Sequence, residues 1–227
     1  VWIGRSAMNC DAALASVTQQ LDKLVIRGRL SADDAPSVKQ KIAICRGYED
    51  LIECEFILEA VSENFQHKEA VFQAISQYVG PDTIIASNTS SMSITQLGAL
   101  LPYCENVVGL HFFNPAPVMK LTEVINGLMT SPKTTERAIE FARSLGKDPV
   151  TVNEAPGFIV NRMLIPMINE AIGILAEGVA TAEEIDKAMR LGANHPLGPL
   201  ALADLIGNDV NLSIMETLHS ETGDPKY

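Results

Sequence analysis

The chain of 227 residues has few cysteines, few aromatic residues and no long hydrophobic run. None of its four cysteines forms a C-x-x-C pair, and no histidine cluster accompanies them, which argues against a disulfide framework or a zinc site. Scattered thiols of this kind favour a reducing, cytoplasmic location. Because no apolar run approaches eighteen residues, the sequence predicts no transmembrane helix and no membrane partner. The cysteines are Cys10, Cys45, Cys54 and Cys104.

Positive charge is also scarce, with 17 basic residues against 28 acidic ones and a net charge of −11. An acidic balance argues against nucleic-acid and anionic-membrane binding, although a local basic patch could still hold an anionic ligand. The composition, 47% hydrophobic and 20% charged, is that of a globular protein rather than a disordered chain or a coiled-coil rod. The length allows one large domain or two modest ones.

Two further features are missing: an initiator methionine and a G-x-G-x-x-G turn. The chain opens inside an apolar run at residues 1–3. We expect this run to be the second strand of a dinucleotide-binding unit, with the first strand, the glycine-rich turn and a helix preceding it. Nothing in the last residues, 224–227, marks the natural end of a chain, so we expect the C-terminus to be trimmed as well.

Short apolar runs alternate with helical patterns through residues 1–155. Such alternation is typical of an α/β domain with a mostly parallel sheet covered on both faces. The spacing of apolar residues predicts helices over 9–27, 65–79, 93–101 and 133–145, and strands over 42–45, 56–58, 83–86, 106–113, 121–125 and 149–152. A helical turn is expected near 48–53.

Beyond residue 155 the periodicity is helical throughout, which predicts a second, all-α domain over 156–227. Helices are predicted over 158–177, 181–192 and 199–220, the second opened by a capping box at Thr181 and Glu184. Apolar residues surround nearly the whole first helix. Such a helix must be buried on several sides, so we expect a second copy of the chain to cover it, with burial among its own neighbours as the alternative.

His111 is the sharpest candidate for chemistry because it ends a predicted strand, where ligands of open α/β sheets bind. Histidine is the side chain best suited to proton transfer near neutral pH. Glu123 follows in the next strand, and a return of the chain through Pro115 and Pro117 would bring it beside His111 to fix the imidazole tautomer. The alternatives are a satisfied core histidine and an exposed strand glutamate.

Other polar residues are less specific. The run S-N-T-S-S at 87–91 follows a strand and offers several hydrogen-bond donors, although some of it could serve only to cap a helix. Asn161 lies in the first turns of an apolar helix and either reads a ligand or faces outward. Lys23 and Arg27 lie four residues apart and could clamp a phosphate, although a solvated helix face is the commoner reason for such a pair.

Four motifs together identify a family. Residues 87–91, 111–121 (H-F-F-N-P-A-P-V-M-K-L), 156–162 (P-G-F-I-V-N-R) and 192–199 (G-A-N-H-P-L-G-P) resemble those of the L-3-hydroxyacyl-CoA dehydrogenases, and within them the bacterial short-chain 3-hydroxybutyryl-CoA dehydrogenases. The resemblance covers the whole chain. It implies a Rossmann-like domain followed by a dimerising helical domain, and reversible hydride transfer between a nicotinamide cofactor and C3 of a 3-hydroxyacyl-CoA.

The resemblance also implies roles for single residues. His111 would be the general base, Glu123 its partner, and Ser90 and Asn161 the groups that hold the substrate oxygens. The substrate's CoA phosphates would lie near Lys23 and Arg27. The positions that match cofactor contacts in the family are Glu63, Lys68, Asn88 and Asn114.

The end of the strand expected at residues 1–3, the second strand of the dinucleotide-binding unit, departs from the pattern of NAD-dependent enzymes, which place an acidic residue there for the ribose hydroxyls. Here the residues are Gly4, Arg5 and Ser6. A guanidinium and a hydroxyl favour a 2′-phosphate, so we expect NADP(H) to be preferred over NAD(H). The alternative is that Arg5 is only a solvated strand end.

Two other functions remain open from the sequence. The chain could be the dehydrogenase part of a multifunctional fatty-acid β-oxidation protein, since either terminus could continue into a further domain. It could also be a non-catalytic relative kept as a structural protein, but the joint presence of Ser90, His111, Glu123 and Asn161 argues against that.

Overall fold

The computed structural model describes residues 1–4 and 7–227, and the elements follow the predicted alternation of strands and helices. The first half contains β1 (Trp2–Ile3), α1 (Ala7–Ile26), α2 (Asp34–Gln40), β2 (Ile44–Cys45), β3 (Phe56–Glu59), α3 (Phe65–Ile75), β4 (Ile84–Ser87), α4 (Ile94–Gly98), β5 (Val107–Phe112), β6 (Leu121–Asn126), α5 (Pro132–Ser144) and β7 (Asp148–Asn153). The second half contains α6 (Val160–Ala176), α7 (Ala182–Gly192), α8 (Pro199–Ile206) and α9 (Asn208–Thr222). Short 3₁₀ turns lie at Tyr48–Leu51 and Cys104–Asn106.

The strands form two sheets. Within residues 1–4 and 7–227, five of them lie side by side in the order β3-β4-β5-β6-β7, and β1 pairs with β2 in a separate sheet. Every pair is parallel except β5 with β6, which run antiparallel. The expected mostly parallel α/β sheet is therefore confirmed, with one antiparallel return that brings β6 back along β5.

The five-stranded sheet is covered on both faces, as its continuous apolar strands require. Successive residues of one strand pack into two different hydrophobic clusters, one on each face of the sheet. Ile85 packs with Phe72 beneath α3 and α4, whereas Ile84 packs with Ala138 beneath α5. The same alternation holds for Val107 and Val108 in β5. Both clusters hold β5 and β6 firmly, and these are the strands that carry His111 and Glu123.

Helix α2 was not predicted, because none of its residues is buried and the sequence therefore shows no apolar periodicity there. Helices α3 and α4 end earlier than expected, at Ile75 and Gly98. No helix in the described parts of the chain is long and apolar enough to cross a membrane.

The helical half corrects one prediction. The single helix expected over 199–220 is two helices, because Gly207 adopts a φ of 101° that no α-helix contains and the chain turns there between α8 and α9. Helix α6 forms as predicted and continues through Pro166. The capping box at Thr181 and Glu184 is present at the start of α7, with both reciprocal hydrogen bonds made.

Candidate active site

His111 and Glu123 face each other across the antiparallel pair β5–β6, in direct register. The His111 Nδ1 atom lies 2.8 Å from Glu123 Oε2, and both side chains are almost completely buried. Because a carboxylate only accepts hydrogen bonds, Nδ1 carries the proton and, in the neutral ring, Nε2 keeps its lone pair. The predicted pairing through the chain reversal is therefore present, and it leaves the imidazole prepared to accept a proton at Nε2.

The second oxygen of Glu123 is held by the helical half of the chain. Oε1 accepts hydrogen bonds from the backbone N–H groups of Ile159 and Val160, at 3.0 and 3.1 Å, where α6 begins. These groups are the unpaired donors of a helix N-terminus, which favours a negative charge. Glu123 thus hydrogen-bonds to His111 through one carboxylate oxygen and to the start of α6 through the other.

Burial by itself raises the pKa of the Glu123 carboxyl, but the hydrogen bonds from His111, Val160 and Ile159 together outweigh burial and hold that pKa below its ordinary value. Glu123 is consequently a carboxylate at neutral pH. A negative charge beside Nδ1 stabilises the imidazolium that forms when Nε2 takes up a proton.

Aromatic rings enclose the histidine. The ring centroids of Phe113 and Phe158 lie 4.5 and 5.7 Å from that of His111. Phe158 has a φ of 51°, in the left-handed region that non-glycine residues seldom adopt, and it follows Gly157 with a φ of 72°. This turn places the Phe158 ring beside the imidazole while it aims the next two N–H groups at Glu123.

Ser90 lies in the loop after β4, and Glu63 fixes that loop. One carboxylate oxygen of Glu63 accepts hydrogen bonds from the backbone N–H groups of Ser90 and Ser91 and from the hydroxyls of Thr89 and Ser91, at 2.6 to 3.2 Å. Asn161, in the first turn of α6, reaches the same loop: its Nδ2 lies 3.5 Å from the carbonyl oxygen of Ser90. The structure therefore brings Ser90 and Asn161 together.

Three polar atoms of this group have no hydrogen-bond partner within the described residues: Ser90 Oγ, His111 Nε2 and Asn161 Oδ1. A hydroxyl, an imidazole nitrogen with a lone pair and an amide oxygen can together bind an oxygen-bearing substrate and exchange a proton with it.

The expected cofactor residues lie at the ends of neighbouring strands. Asn88 follows β4, and its Oδ1 accepts a hydrogen bond from the N–H of Phe112 at 3.0 Å, which leaves Nδ2 without a partner in the described part of the chain. Asn114 follows β5 and is exposed. Glu63 and these two amides supply the donors and acceptors that a ribose and a carboxamide need, so the residues present fit the nicotinamide half of a dinucleotide. Lys68, by contrast, is completely buried.

A cavity of about 450 Å³ separates the two sheets. It is lined by residues of β1 and β3 and by those that follow them, among which are Gly4, Ala60 and Val61. Arg5 and Ser6, the residues expected to select the cofactor, lie outside the described residues.

Lys23 lies in the last turn of α1 and Arg27 directly follows the helix, and both are exposed. Among the residues of α1 whose burial is described, Cys10 alone is buried, and no residue of α2 is buried. The two helices therefore lie outside the core beside the main sheet, and we call this pair of helices the arm. The structure therefore does not join these two cations to the other candidate residues.

Sequence reasoning missed Glu59, which ends β3 and binds Lys68, and Lys147, whose Nζ donates to the carbonyl oxygens of Ala116 and Met119 in the loop after His111. A signal for Glu59 was present, since a charged residue closes the apolar run F-I-L-E. Lys147 gave none, because its partners are backbone atoms distant in sequence.

Comparison with known proteins places these residues in one family. Residues 1–155 match the family model "3-hydroxyacyl-CoA dehydrogenase, NAD binding domain", and residues 157–227 match "3-hydroxyacyl-CoA dehydrogenase, C-terminal domain". The chain is 49% identical to a 3-hydroxybutyryl-CoA dehydrogenase of Clostridioides difficile, over 96% of this chain and 77% of the relative. It is 46% identical to a probable 3-hydroxybutyryl-CoA dehydrogenase of Bacillus subtilis, over 96% of this chain and 76% of that protein.

A solved structure agrees with this placement. The crystal structure of an (S)-3-hydroxybutyryl-CoA dehydrogenase from Ralstonia eutropha superposes with a TM-score of 0.95 and 46% identity, covering 98% of this chain and 78% of the other. The resemblance noted in the four motifs is thereby confirmed across both halves. The chain belongs to the 3-hydroxyacyl-CoA dehydrogenase family.

Proposed function

We propose that the protein is a short-chain 3-hydroxyacyl-CoA dehydrogenase that interconverts 3-hydroxybutyryl-CoA and acetoacetyl-CoA. The observation that carries this proposal is the buried His111–Glu123 pair, whose unpartnered Nε2 accompanies a serine hydroxyl and an asparagine amide. The relatives named 3-hydroxybutyryl-CoA dehydrogenase support the choice of a short acyl chain.

In the oxidation direction, His111 Nε2 takes the proton from the 3-hydroxyl group, which makes departure of hydride from C3 easier. Glu123 holds the ring in the right tautomer and stabilises the cation until the proton leaves. In the reduction direction the same atom returns the proton to the oxygen at C3. The aromatic rings of Phe113 and Phe158 exclude water from this exchange.

Ser90 and Asn161 hold the substrate oxygens. The Ser90 hydroxyl donates to the oxygen on C3, and the Asn161 amide fixes the neighbouring part of the acyl group. Because Glu63 accepts hydrogen bonds from the backbone N–H groups of Ser90 and Ser91, the backbone that carries this hydroxyl is fixed before the substrate binds. Between the two units that we infer, 1–155 and 156–227, the substrate would lie where α6 meets the loop after β4.

The nicotinamide cofactor supplies the hydride acceptor or donor, and the protein supplies position and electrostatics. Glu63, Asn88 and Asn114 would hold the nicotinamide half. We assign the adenosine half to Arg5 and Ser6 and infer a preference for NADP(H), because a guanidinium gains a charge-assisted bond to the 2′-phosphate whereas an acidic residue would repel it.

We assign the CoA phosphates to the arm formed by α1 and α2. Lys23 and Arg27 are exposed there and form no ion pair within the described residues. An exposed, unpaired cluster of cations attracts a polyanionic group, even on a protein that is acidic as a whole.

We further infer a homodimer formed through the helical half, and a cytoplasmic enzyme. Helix α6 supports the dimer, because Met163, Ile172 and Leu175 remain exposed on it. The four thiols support the location, since all are free.

The decisive experiment measures the initial rate with acetoacetyl-CoA, with NADPH and NADH compared in parallel. We expect activity with both cofactors and a kcat/KM about ten- to a hundredfold higher with NADPH, the size of one hydrogen bond to a charged group. Substituting Gly4→Asp together with Arg5→Ile should reverse that order. If the enzyme is inactive with both NADPH and NADH, the proposed function is wrong. If its activity with NADH equals or exceeds that with NADPH, only the cofactor preference is wrong.

A further inference from the structure

Glu59 is a buried carboxylate that the proposed mechanism does not use. It closes β3 and is only 4% exposed. Its two oxygens lie 2.9 and 3.0 Å from Lys68 Nζ, and they also accept hydrogen bonds from the Ser87 hydroxyl and the Val61 N–H, both at 2.6 Å. Four contacts, from α3, from β4 and from the residues just after β3, therefore meet at one carboxylate.

Lys68 lies between two carboxylates. Its side chain is 0% exposed, and besides Glu59 it contacts Glu63, whose Oε2 is 3.5 Å from Nζ. The other oxygen of Glu63 holds the loop of Thr89 to Ser91. Glu59, Lys68 and Glu63 thus form a continuous chain of charges from the core to the loop that carries Ser90.

We propose that Glu59 is a positioning residue for the cofactor and substrate site: it fixes the Lys68 ammonium, and Lys68 in turn fixes the Glu63 carboxylate. This inference rests on the proposed function, which places Glu63 against the nicotinamide half of the cofactor. Glu59 also holds Ser87, so both ends of the loop after β4 depend on it.

Stability alone does not explain such an arrangement. A buried ion pair costs desolvation that an apolar pair of the same shape avoids, so it is weak evidence for stabilisation. This pair lies where β3 and β4 end, the edge at which open α/β sheets bind their ligands. At that edge a lysine held between two glutamates keeps the Glu63 carboxylate in one orientation, as a group that hydrogen-bonds a ribose must be.

The test is Glu59→Gln, which keeps the shape and removes the charge. Titrating the purified variant with NADPH and following the cofactor's fluorescence should show a dissociation constant about tenfold or more higher than in the wild type, the size of one lost hydrogen bond to a charged group. Ser87→Ala removes only one contact of Glu59 and should weaken binding a few-fold, which keeps the inference testable should Glu59→Gln fold poorly. An unchanged dissociation constant in both folded variants would overturn the proposal.

A double-mutant cycle with Lys68→Met identifies the route. If Glu59 acts through Lys68, the double variant binds NADPH no worse than Lys68→Met alone, whereas two weakening factors that multiply would contradict the proposal.

Asp186→Asn is the matched control, because Asp186 accepts two backbone hydrogen bonds from Leu200 and Ala201 and has no cation partner among the described residues. We expect it to lower the melting temperature without changing the affinity for NADPH. A wild type that binds NADPH but fails to reduce acetoacetyl-CoA would count against the proposed function and leave this binding test intact.

Discussion

The contact between His111 and Glu123 depends on a single register position. His111 and Glu123 are twelve residues apart, yet they are directly opposed in β5 and β6. Side chains alternate between the two faces of a strand, so a slip of one residue would place them on opposite faces. The proton exchange that we propose therefore depends on the pairing of two strands as much as on the two residue types.

We expect His111→Gln to lower kcat for acetoacetyl-CoA reduction about 10²-fold or more, the usual contribution of a positioned acid–base group, with little change in substrate binding. Glutamine keeps polarity and approximate size but cannot exchange a proton near neutral pH. Steady-state kinetics with a parallel substrate-binding measurement checks this. A variant within a few-fold of wild type would remove His111 from the mechanism, and effects of Glu123→Gln that multiply with those of His111→Gln would argue against the pair acting as a unit.

Glu123 should also make stability depend on acid pH. Because the pKa of its carboxyl is lower in the folded protein than its ordinary value of 4.5, its contribution is complete above that pH and is lost as the pH falls through the folded value. The melting temperatures of wild type and Glu123→Gln should therefore differ most near pH 7 and converge below pH 4.5.

The control for that prediction is Asp224→Asn. The hydrogen bond from Lys226 lowers the pKa of the Asp224 carboxyl too, but this pair is exposed at the surface. Its removal should leave the melting temperature nearly unchanged at every pH. A constant gap between wild type and Glu123→Gln from pH 7 to pH 3 would contradict the assigned role of the Glu123 charge.

At the scale of elements, the turn before α6 joins the two halves of the chain. Gly157 and Phe158 both have positive φ, and the two residues after them donate to Glu123. A Cβ on Gly157 would lie 2.8 Å from Leu218 Cδ2 and 3.1 Å from the backbone nitrogen of Arg162. The turn thus combines an unusual backbone conformation with a close approach to α6 and α9, and only glycine satisfies both.

Gly146 provides a matched comparison, since its φ of 73° equals that of Gly157 within a degree but nothing lies within 4 Å of a Cβ there. We expect Gly146→Ala to cost about 1–2 kcal/mol of unfolding free energy, the strain of the left-handed conformation alone. Gly157→Ala should cost about 1–3 kcal/mol more from overpacking, and should lower kcat as well because Glu123 loses its alignment. Urea unfolding and kinetics of the two variants measure this, and equal costs would show that the close approach is unimportant.

At the scale of the whole molecule, the helical half leaves apolar surface uncovered. Helix α6 buries Ile165, Ile168 and Ala171 against its neighbours, while Ile172 and Leu175 stay about 40% exposed. Exposed apolar residues on a helix that also carries a buried face favour a partner subunit.

We expect sedimentation equilibrium to show a dimer at micromolar concentration, and Ile172→Glu with Leu175→Glu to shift it to monomer, because two carboxylates would be buried unpaired in the interface. Leu128→Glu is the control: Leu128 is 87% exposed in the first half of the chain and should leave the dimer intact. A wild type that sediments as a monomer refutes the dimer.

The sequence by itself determined the α/β alternation, the change to helices near residue 155 and the membership of the family, because each depends on local periodicity or on contiguous motifs. It also predicted that Ser90, His111, Glu123 and Asn161 form the site, and the structure pairs His111 with Glu123 and Asn161 with the loop of Ser90. It failed at α2, which has no apolar face, and at Gly207, where one conformation of one residue divides a helix.

Only the tertiary structure decided what lies behind the site. The Glu59–Lys68–Glu63 chain, the contact of Glu123 with the start of α6 and the hold of Lys147 on the loop after His111 all join elements distant in sequence. Sequence periodicity does not reveal such contacts, because a charged residue gives the same pattern whether it is buried and paired or exposed to solvent. These contacts form where the carboxyl ends of β3, β4 and β5 lie beside the amino end of the antiparallel strand β6. Packing on both faces of the sheet sets that alignment.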